Sequence, residues 1–140
     1  MIYLLDTNIV SELRKPRPHG AVLAWRHSVP IHQIAIPGIV LAENQAGIEL
    51  TRKQNPAKAL ELENCLDEMM NYYTVLPADG AIYREWARLK HGKSIDLDAD
   101  AMIAATARIL RLTVATRNVR DFEQFQVEVY DPFSFRPSER

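Results

Sequence analysis

MIYLLDTNIVSEL (1–13) runs an unbroken apolar segment, residues 2–5, straight into an acid, a hydroxyl and an amide. Aliphatic and aromatic residues with no polar alternation read as a strand buried on both faces, the habit of parallel sheets covered by helices. Asp6, Thr7 and Asn8 end that strand abruptly, and Asn8 reads as the N-cap of a short helix through Val10 and Leu13. In open α/β sheets the functional crevice lies outside the carboxyl ends of the strands. Asp6 sits at such an end.

Outward from this segment, strand-like and helix-like patterns alternate. KPRPHG (15–20) is a turn, because two prolines and a glycine do not continue a helix. Residues 21–27 follow as a helix with Val22 and Trp25 on one face, and IHQIAIP (31–37) reads as the second strand. Gly38 opens a helix in which Ile39, Val40, Ala42, Ala46, Gly47 and Leu50 recur at intervals of three and four. Pro56 opens the next, with Leu60, Leu62, Cys65, Leu66 and Met69 as its apolar stripe. YYTVLP (72–77) reads as a third strand, 78–90 as a helix with Ile82, Trp86 and Leu89 inward, and DADAMIAATARIL (98–110) as another helix. LTVAT (112–116) and VEVYDP (127–132) supply the last strands. Such alternation predicts an α/β fold with a mostly parallel central sheet flanked by helices, and 140 residues without repeat or linker predict a single domain, 1–140.

A composition of 47% hydrophobic and 25% charged residues excludes the disordered and fibrous classes. A net charge of −1 gives no global basic footprint, so any contact with nucleic acid rests on a local basic groove. The single cysteine, Cys65, rules out an internal disulfide and a cysteine zinc site, which fits a reducing compartment. Asp6 interrupts the first apolar run at once, and no run approaches the ~20 residues of a membrane span, so a cytoplasmic protein is expected.

Three acids stand where the topology would gather them at one edge. Asp6 ends the first strand; Glu43 borders the apolar stripe of the helix after the second; Asp100 falls in the first turn of the 98–110 helix, beside Ile103, Ala104 and Ala107. Each alone has a structural use, as helix cap, boundary residue or complement to a helix dipole, and Asp98 is the natural N-cap of its helix. TRNVRDF (116–122) adds a hydroxyl, guanidinium groups, an amide and an acid at another strand end. Three carboxylates sharing one pocket repel and raise one another's pKa, a conflict that a divalent cation resolves. Oxygen donors without cysteine or paired histidine select Mg²⁺ or Mn²⁺ over zinc.

LLDTN (4–8), LAEN (41–44), DADAMIAATA (98–107) and TVATRNVRDF (113–122), in this order and spacing, make the chain similar to the PIN-domain family. It most resembles the VapC and FitB type of ribonuclease toxins from bacterial toxin–antitoxin pairs. The resemblance spans nearly the whole chain and implies the three-layer PIN fold and a Mg²⁺-dependent endoribonuclease leaving 5′-phosphate and 3′-hydroxyl ends. By the same resemblance Asp6, Glu43 and Asp100 are the metal-binding acids and Asn118 takes the fourth place of the catalytic cluster. That fourth place is often an aspartate in relatives; the neighbouring Asp121 either makes up the charge or caps local structure. Thr7, Asn8 and Thr116 are expected to hold the carboxylates in position, with Asp98 in support.

The resemblance also implies a small cognate antitoxin, contact with promoter DNA only through that antitoxin, and a homodimer. Trp25, Trp86 and the run Met69, Met70, Tyr72, Tyr73 are candidates for an apolar groove taking an antitoxin helix. An acidic site acting on RNA needs a basic rim, for which Arg14, Lys15, Arg17, Lys90, Lys93, Arg117 and Arg120 are available, with Arg117, Arg120 and Lys93 as the RNA-binding candidates. Two rival readings stand beside the nuclease: a catalytically silent binding module of the same fold, and a Mg²⁺-dependent phosphoryl-transfer switch. The switch requires an accepting aspartate directly after the third strand, whereas VLPADG reaches Asp79 only after a proline, at a helix cap.

Overall fold

Strands Tyr3–Leu5 (β1), Ile34–Pro37 (β2), Thr74–Leu76 (β3), Thr113–Ala115 (β4) and Val129–Tyr130 (β5) pair in parallel in the computed structural model, which describes residues 1–137. Their order is β3-β2-β1-β4-β5, so the chain leaves the central β1 in one direction and returns to its other side at β4. The gap between the carboxyl ends of β1 and β4 is the point where strand order reverses. Leu4 pairs with Ala35 on one side and Val114 on the other. Leu4 and Leu5 point to opposite faces and both are fully buried, so helices cover the sheet on both sides, as its uninterrupted apolar run requires.

The helices are Thr7–Leu13 (α1), Gly20–Ser28 (α2), Gly38–Gln54 (α3), Pro56–Tyr72 (α4), Gly80–Lys90 (α5), Asp98–Leu110 (α6) and Val119–Glu123 (α7). The main core gathers Ile9, Val10, Trp25, Ile34, Ile36, Ile103, Val114, Phe122 and Phe125 around the sheet. Trp25 lies edge-on to Tyr3 with centroids 5.1 Å apart, which locks α2 onto β1. In α6, Ala101, Ala104, Ala105 and Ala107 are essentially inaccessible. Their small side chains let the helix lie close to its neighbours and carry its first turn toward the end of β1.

The structure shifts several expected boundaries. Asp6, not Asn8, caps α1: its backbone is extended (φ −76°, ψ 163°) and its carboxylate accepts from the Thr7 N–H. Asp98 does not cap α6, because a 3₁₀ turn over Ile95–Leu97 runs directly into the helix and leaves Asp98 already helical (φ −59°, ψ −43°). The second strand starts at Ile34, since Ile31–Gln33 form a 3₁₀ turn, and Tyr72 closes α4 instead of opening β3. Residues 119–123, read from the sequence only as polar groups at a strand end, coil into α7.

The apolar phase of α3 also differs from its expected one. Val40, Asn44 and Ile48 face inward, while Ala42, Ala46, Gly47 and Leu50 are exposed. Asn44 is tolerated inside because its amide N–H donates to the Val40 carbonyl at 2.9 Å and its oxygen accepts from Ser11 at 3.4 Å. In α4 the buried positions are Ala59, Leu66 and Met69, with Leu60 exposed.

Candidate active site

Asp6 leaves β1 almost wholly buried, at 3% exposure, and every hydrogen bond its carboxylate accepts comes from a neighbour at the ends of β1 and β4. The Thr7 N–H donates to Oδ1 at 2.7 Å; the Thr116 hydroxyl and the Asn8 amide donate to Oδ2 at 2.7 and 3.2 Å. Thr116 follows β4, and its oxygen also accepts from the Asn118 N–H at 2.9 Å. The Asn8 oxygen in turn accepts from the Arg117 N–H at 3.2 Å. These bonds stitch the ends of β1 and β4 together and give Thr7, Asn8 and Thr116 the positioning geometry expected of them.

Glu43 comes from α3, one residue from the buried Asn44, and its Oε1 accepts from the Thr7 hydroxyl. Asp100 enters from the first turn of α6. With Asp6, Thr7, Asn8, Ser11, Glu12, Lys15, Arg117, Asn118 and Phe133 these two acids line one cleft of about 500 Å³. Asp6 titrates above the ordinary aspartate value because burial outweighs its hydrogen bonds, with the Glu43 charge adding to the rise. Asp100 is pushed up to about 7 by burial and then by the charges of Asp6, Asp121 and Glu43. The cluster therefore carries more negative charge than the site tolerates at neutral pH, which a proton or a cation relieves.

Asn118 lines the cleft itself, whereas Asp121 faces an adjoining recess of about 440 Å³, shared with Arg117, Asn118, Arg120 and Asp131. Asp121 is nonetheless near enough for its charge to act on Asp100. The amide at 118 thus has an acidic neighbour on the same side of the site. Among the described residues no three histidine, cysteine, aspartate or glutamate side chains form a ready-made metal cage. Mg²⁺ does not require one, since it keeps several waters and is bound through one or two carboxylates and substrate phosphate.

Three residues of the cleft escaped the sequence reading: Ser11, whose hydroxyl donates to the Asn44 oxygen at 3.4 Å, Glu12 and Phe133. Glu12 is 8% exposed; burial works to raise it, yet the Lys15 ammonium and the His19 N–H, each at 2.9 Å, hold it below the ordinary glutamate value. The three-residue spacing from Glu12 to Lys15 was a visible clue to that ion pair. Phe133, in a 3₁₀ turn over Pro132–Ser134, reaches the cleft from the far end of the chain, and nothing local announces it.

Of the basic candidates, Lys15 and Arg117 line the cleft and Arg120 the recess. Lys93 lies over the Phe125 ring, and Lys90 over Trp86 with Asp98 3.8 Å away, so neither these lysines nor Asp98 lines the cleft. Arg14 turns inward, with Nε and Nη1 buried and unpartnered. A separate groove of about 380 Å³ between α1, α2 and α4 is lined by Leu13, Leu23, Arg26, Met69, Tyr72 and Tyr73. Trp25 and Trp86 are not part of it: Trp25 is 1% exposed in the core, and the Trp86 N–H donates to the Asp98 carbonyl at 2.9 Å.

The model of the family described as PIN domain matches residues 3–127. The chain is 33% identical over 137 residues to Toxin FitB of Neisseria gonorrhoeae, covering 93% of this chain and 97% of that protein. It is 34% identical over 138 residues to VapC ribonuclease Y4jK of Sinorhizobium fredii, covering 93% and 96% respectively. Among solved structures, FitAcB from Neisseria gonorrhoeae superposes with a TM-score of 0.83 at 33% identity, covering 96% of this chain and 100% of that one. A toxin–antitoxin complex from Klebsiella pneumoniae superposes with a TM-score of 0.68 at 25% identity, covering 93% and 97%.

Proposed function

The chain belongs to the PIN domain family, and from that membership we propose that it is a Mg²⁺-dependent endoribonuclease, the toxin of a type II toxin–antitoxin pair. The observation that carries the chemistry is the gathering of Asp6, Glu43 and Asp100 in one cleft, where burial first and then the charges of Asp6, Asp121 and Glu43 push Asp100 up to about 7. The donors are all oxygens, matching a hard divalent ion, with Mn²⁺ as a substitute for Mg²⁺. Asp6, Glu43 and Asp100 would hold it. When bound, the ion supplies charge neutralisation for the scissile phosphate and acidification of a water.

The protein's own residues do the positioning. Thr116 and Asn8 hold Asp6, Thr7 orients Glu43, and the exposed Asn118 offers an amide to orient water or phosphate at the mouth of the cleft. In the proposed hydrolysis a water oxygen bonds to phosphorus in line with the departing 3′-oxygen. A carboxylate of the cluster takes a proton from that water and, as the bond from phosphorus to the 3′-oxygen breaks, a proton from bulk water passes to the 3′-oxygen, giving 5′-phosphate and 3′-hydroxyl ends.

Uncontrolled RNA hydrolysis is harmful to the cell that makes it, and the relatives include a toxin and a toxin–antitoxin complex. The proposed inhibitor is a small antitoxin whose helix lays an apolar face against Leu13, Leu23, Met69 and Tyr72 in the α1–α2–α4 groove. DNA would be met only through that antitoxin, and the toxin itself is proposed to be a homodimer. A silent binding module is the rival reading, since Asn118 replaces an acid; the Asp121 charge felt at Asp100 favours the enzyme.

The test is incubation of antitoxin-free protein with total cellular RNA in Mg²⁺ or Mn²⁺, in chelator, and with Asp6→Asn in parallel. Discrete metal-dependent fragments absent from the variant are expected. A folded wild type that binds RNA and never cuts it would shift the reading to the binding module.

A further inference from the structure

Arg117 is the cleft's uncommitted cation. Lys15, the other cation in the lining, is bonded to Glu12, while Arg117 makes no ion pair among the described residues. Its guanidinium lies over the Phe133 ring, 4.4 Å from the centroid. A guanidinium that covers an aromatic face keeps its N–H groups free around the edge, where they match the paired oxygens of a phosphate.

Both ends of this arrangement are held. The Arg117 N–H donates to the Asn8 oxygen at 3.2 Å, which fixes the backbone beside Asp6. The Phe133 N–H donates to Asp131 at 2.9 Å, and the His19 ring packs against Phe133 with centroids 5.0 Å apart. His19 is itself pinned, its Nδ1 accepting from the Ala21 N–H and its own N–H donating to Glu12. A long exposed side chain is thereby set in one direction before any ligand arrives, which lowers the ordering cost of binding.

Arg117 also marks a boundary, because it lines both the acidic cleft and the recess that contains Arg120. A single strand with its scissile phosphate among the acids crosses Arg117 on its way to that recess. We infer that Arg117 clamps the RNA phosphate next to the scissile one, and that Phe133 is the positioning residue that holds the clamp in place. This rests on the ribonuclease reading above.

The test is single-turnover cleavage of a labelled, mixed-sequence single-stranded RNA, with binding of the same RNA followed by fluorescence anisotropy. Arg117→Ala and Phe133→Leu are each expected to raise the half-saturating protein concentration about tenfold, with the rate at saturation within about twofold. Phe133→Tyr keeps the ring and stays near wild type. Arg117→Lys, which keeps the charge and loses the fork and the stack, falls between. Adding Phe133→Leu to Arg117→Ala costs nothing further, and the salt dependence of binding loses about one phosphate contact in either variant.

Independent, multiplying effects of the two substitutions, or wild-type binding by Arg117→Ala, overturn the inference. Should Phe133→Leu fail to fold, Arg117→Lys decides, since binding equal to wild type leaves no role for the stack. Cleavage by wild type with unaffected variants sinks this inference alone. A wild type that neither binds nor cuts RNA sinks the ribonuclease reading and this inference with it.

Discussion

The Thr116 hydroxyl donates to Oδ2 of Asp6 across 2.7 Å, and so joins the ends of the two strands between which the sheet reverses order. Both residues are buried, and the same Thr116 oxygen accepts from the Asn118 N–H, so one hydroxyl sets the acid and the turn after β4 together. Thr116→Val keeps the shape and removes the hydroxyl. Loss of such a supporting bond typically lowers metal affinity by about 10- to 100-fold. Mg²⁺ titration by calorimetry is expected to show that loss in Thr116→Val and near wild-type affinity in Thr116→Ser. Unchanged affinity in the valine variant would remove Asp6 from the metal site or Thr116 from its support.

Asp100 gives the site a signature in stability. A carboxyl raised to about 7 by burial and by Asp6, Asp121 and Glu43 holds its proton better in the folded than in the unfolded chain. Its favourable contribution is therefore complete below its ordinary pKa, near 4, and is lost as pH climbs through about 7. In chelator, Asp100→Asn is expected to be more stable than wild type at pH 8, by on the order of 1–3 kcal/mol. The gain should shrink toward pH 5, as the wild-type carboxyl becomes protonated. Urea denaturation at the two pH values measures this, and an equal gain at both would mean that Asp100 is less buried, or the acids farther apart, in solution than the structure places them.

Asp6 and Asp100 were legible because each is an acid set against apolar sequence: one ends a run buried on both faces, and the other heads a helix of small residues. The parallel sheet was legible for the same reason. The phase of α3 was not, because alanine and glycine occur on either face of a helix, while the residue that faces inward, Asn44, is polar and satisfied by a backbone carbonyl. Helix caps were misplaced at Asn8 and Asp98, where the choice between neighbouring polar residues depends on a backbone angle that no pattern encodes. The recruitment of Phe133 depends on Arg117, from a different element, and on His19, more than a hundred residues away, which local reading does not reach.

Arg26 is 8% exposed and has no carboxylate partner among the described residues. Its Nε donates to the Tyr73 hydroxyl at 2.7 Å and its Nη1 to the Val29 carbonyl at 3.1 Å, with the Tyr72 and Tyr73 rings 5.6 and 5.2 Å away. Removing the guanidinium strands a buried hydroxyl and a buried carbonyl. Arg26→Ala is expected to cost about 2–4 kcal/mol in a denaturation experiment. Arg26→Lys recovers only part of this, because an ammonium does not reproduce the planar fork. A loss below about 0.5 kcal/mol in the alanine variant would show that water replaces the guanidinium and that this wall of the groove is open.

Metal binding to the folded chain alone must show as thermal stabilisation, independent of any RNA. At a free Mg²⁺ concentration of 100 times its dissociation constant the gain is about 2.7 kcal/mol. For a chain of this length that corresponds to a rise in Tm of roughly 8–12 °C. Asp6→Asn and Glu43→Gln are expected to lose most of the rise, since each removes a charge that the ion would neutralise. Leu60→Ala, on the exposed face of α4, is expected to keep it in full. Ca²⁺, larger and content with more oxygen ligands, separates a site built for divalent charge from one tuned to Mg²⁺ geometry: equal shifts mean charge alone, and a smaller Ca²⁺ shift means shape. No shift with either ion, in a wild type whose chelated form is already stable at pH 8, would mean that the acids are reconciled by protonation, and the hydrolytic reading would lose its cofactor.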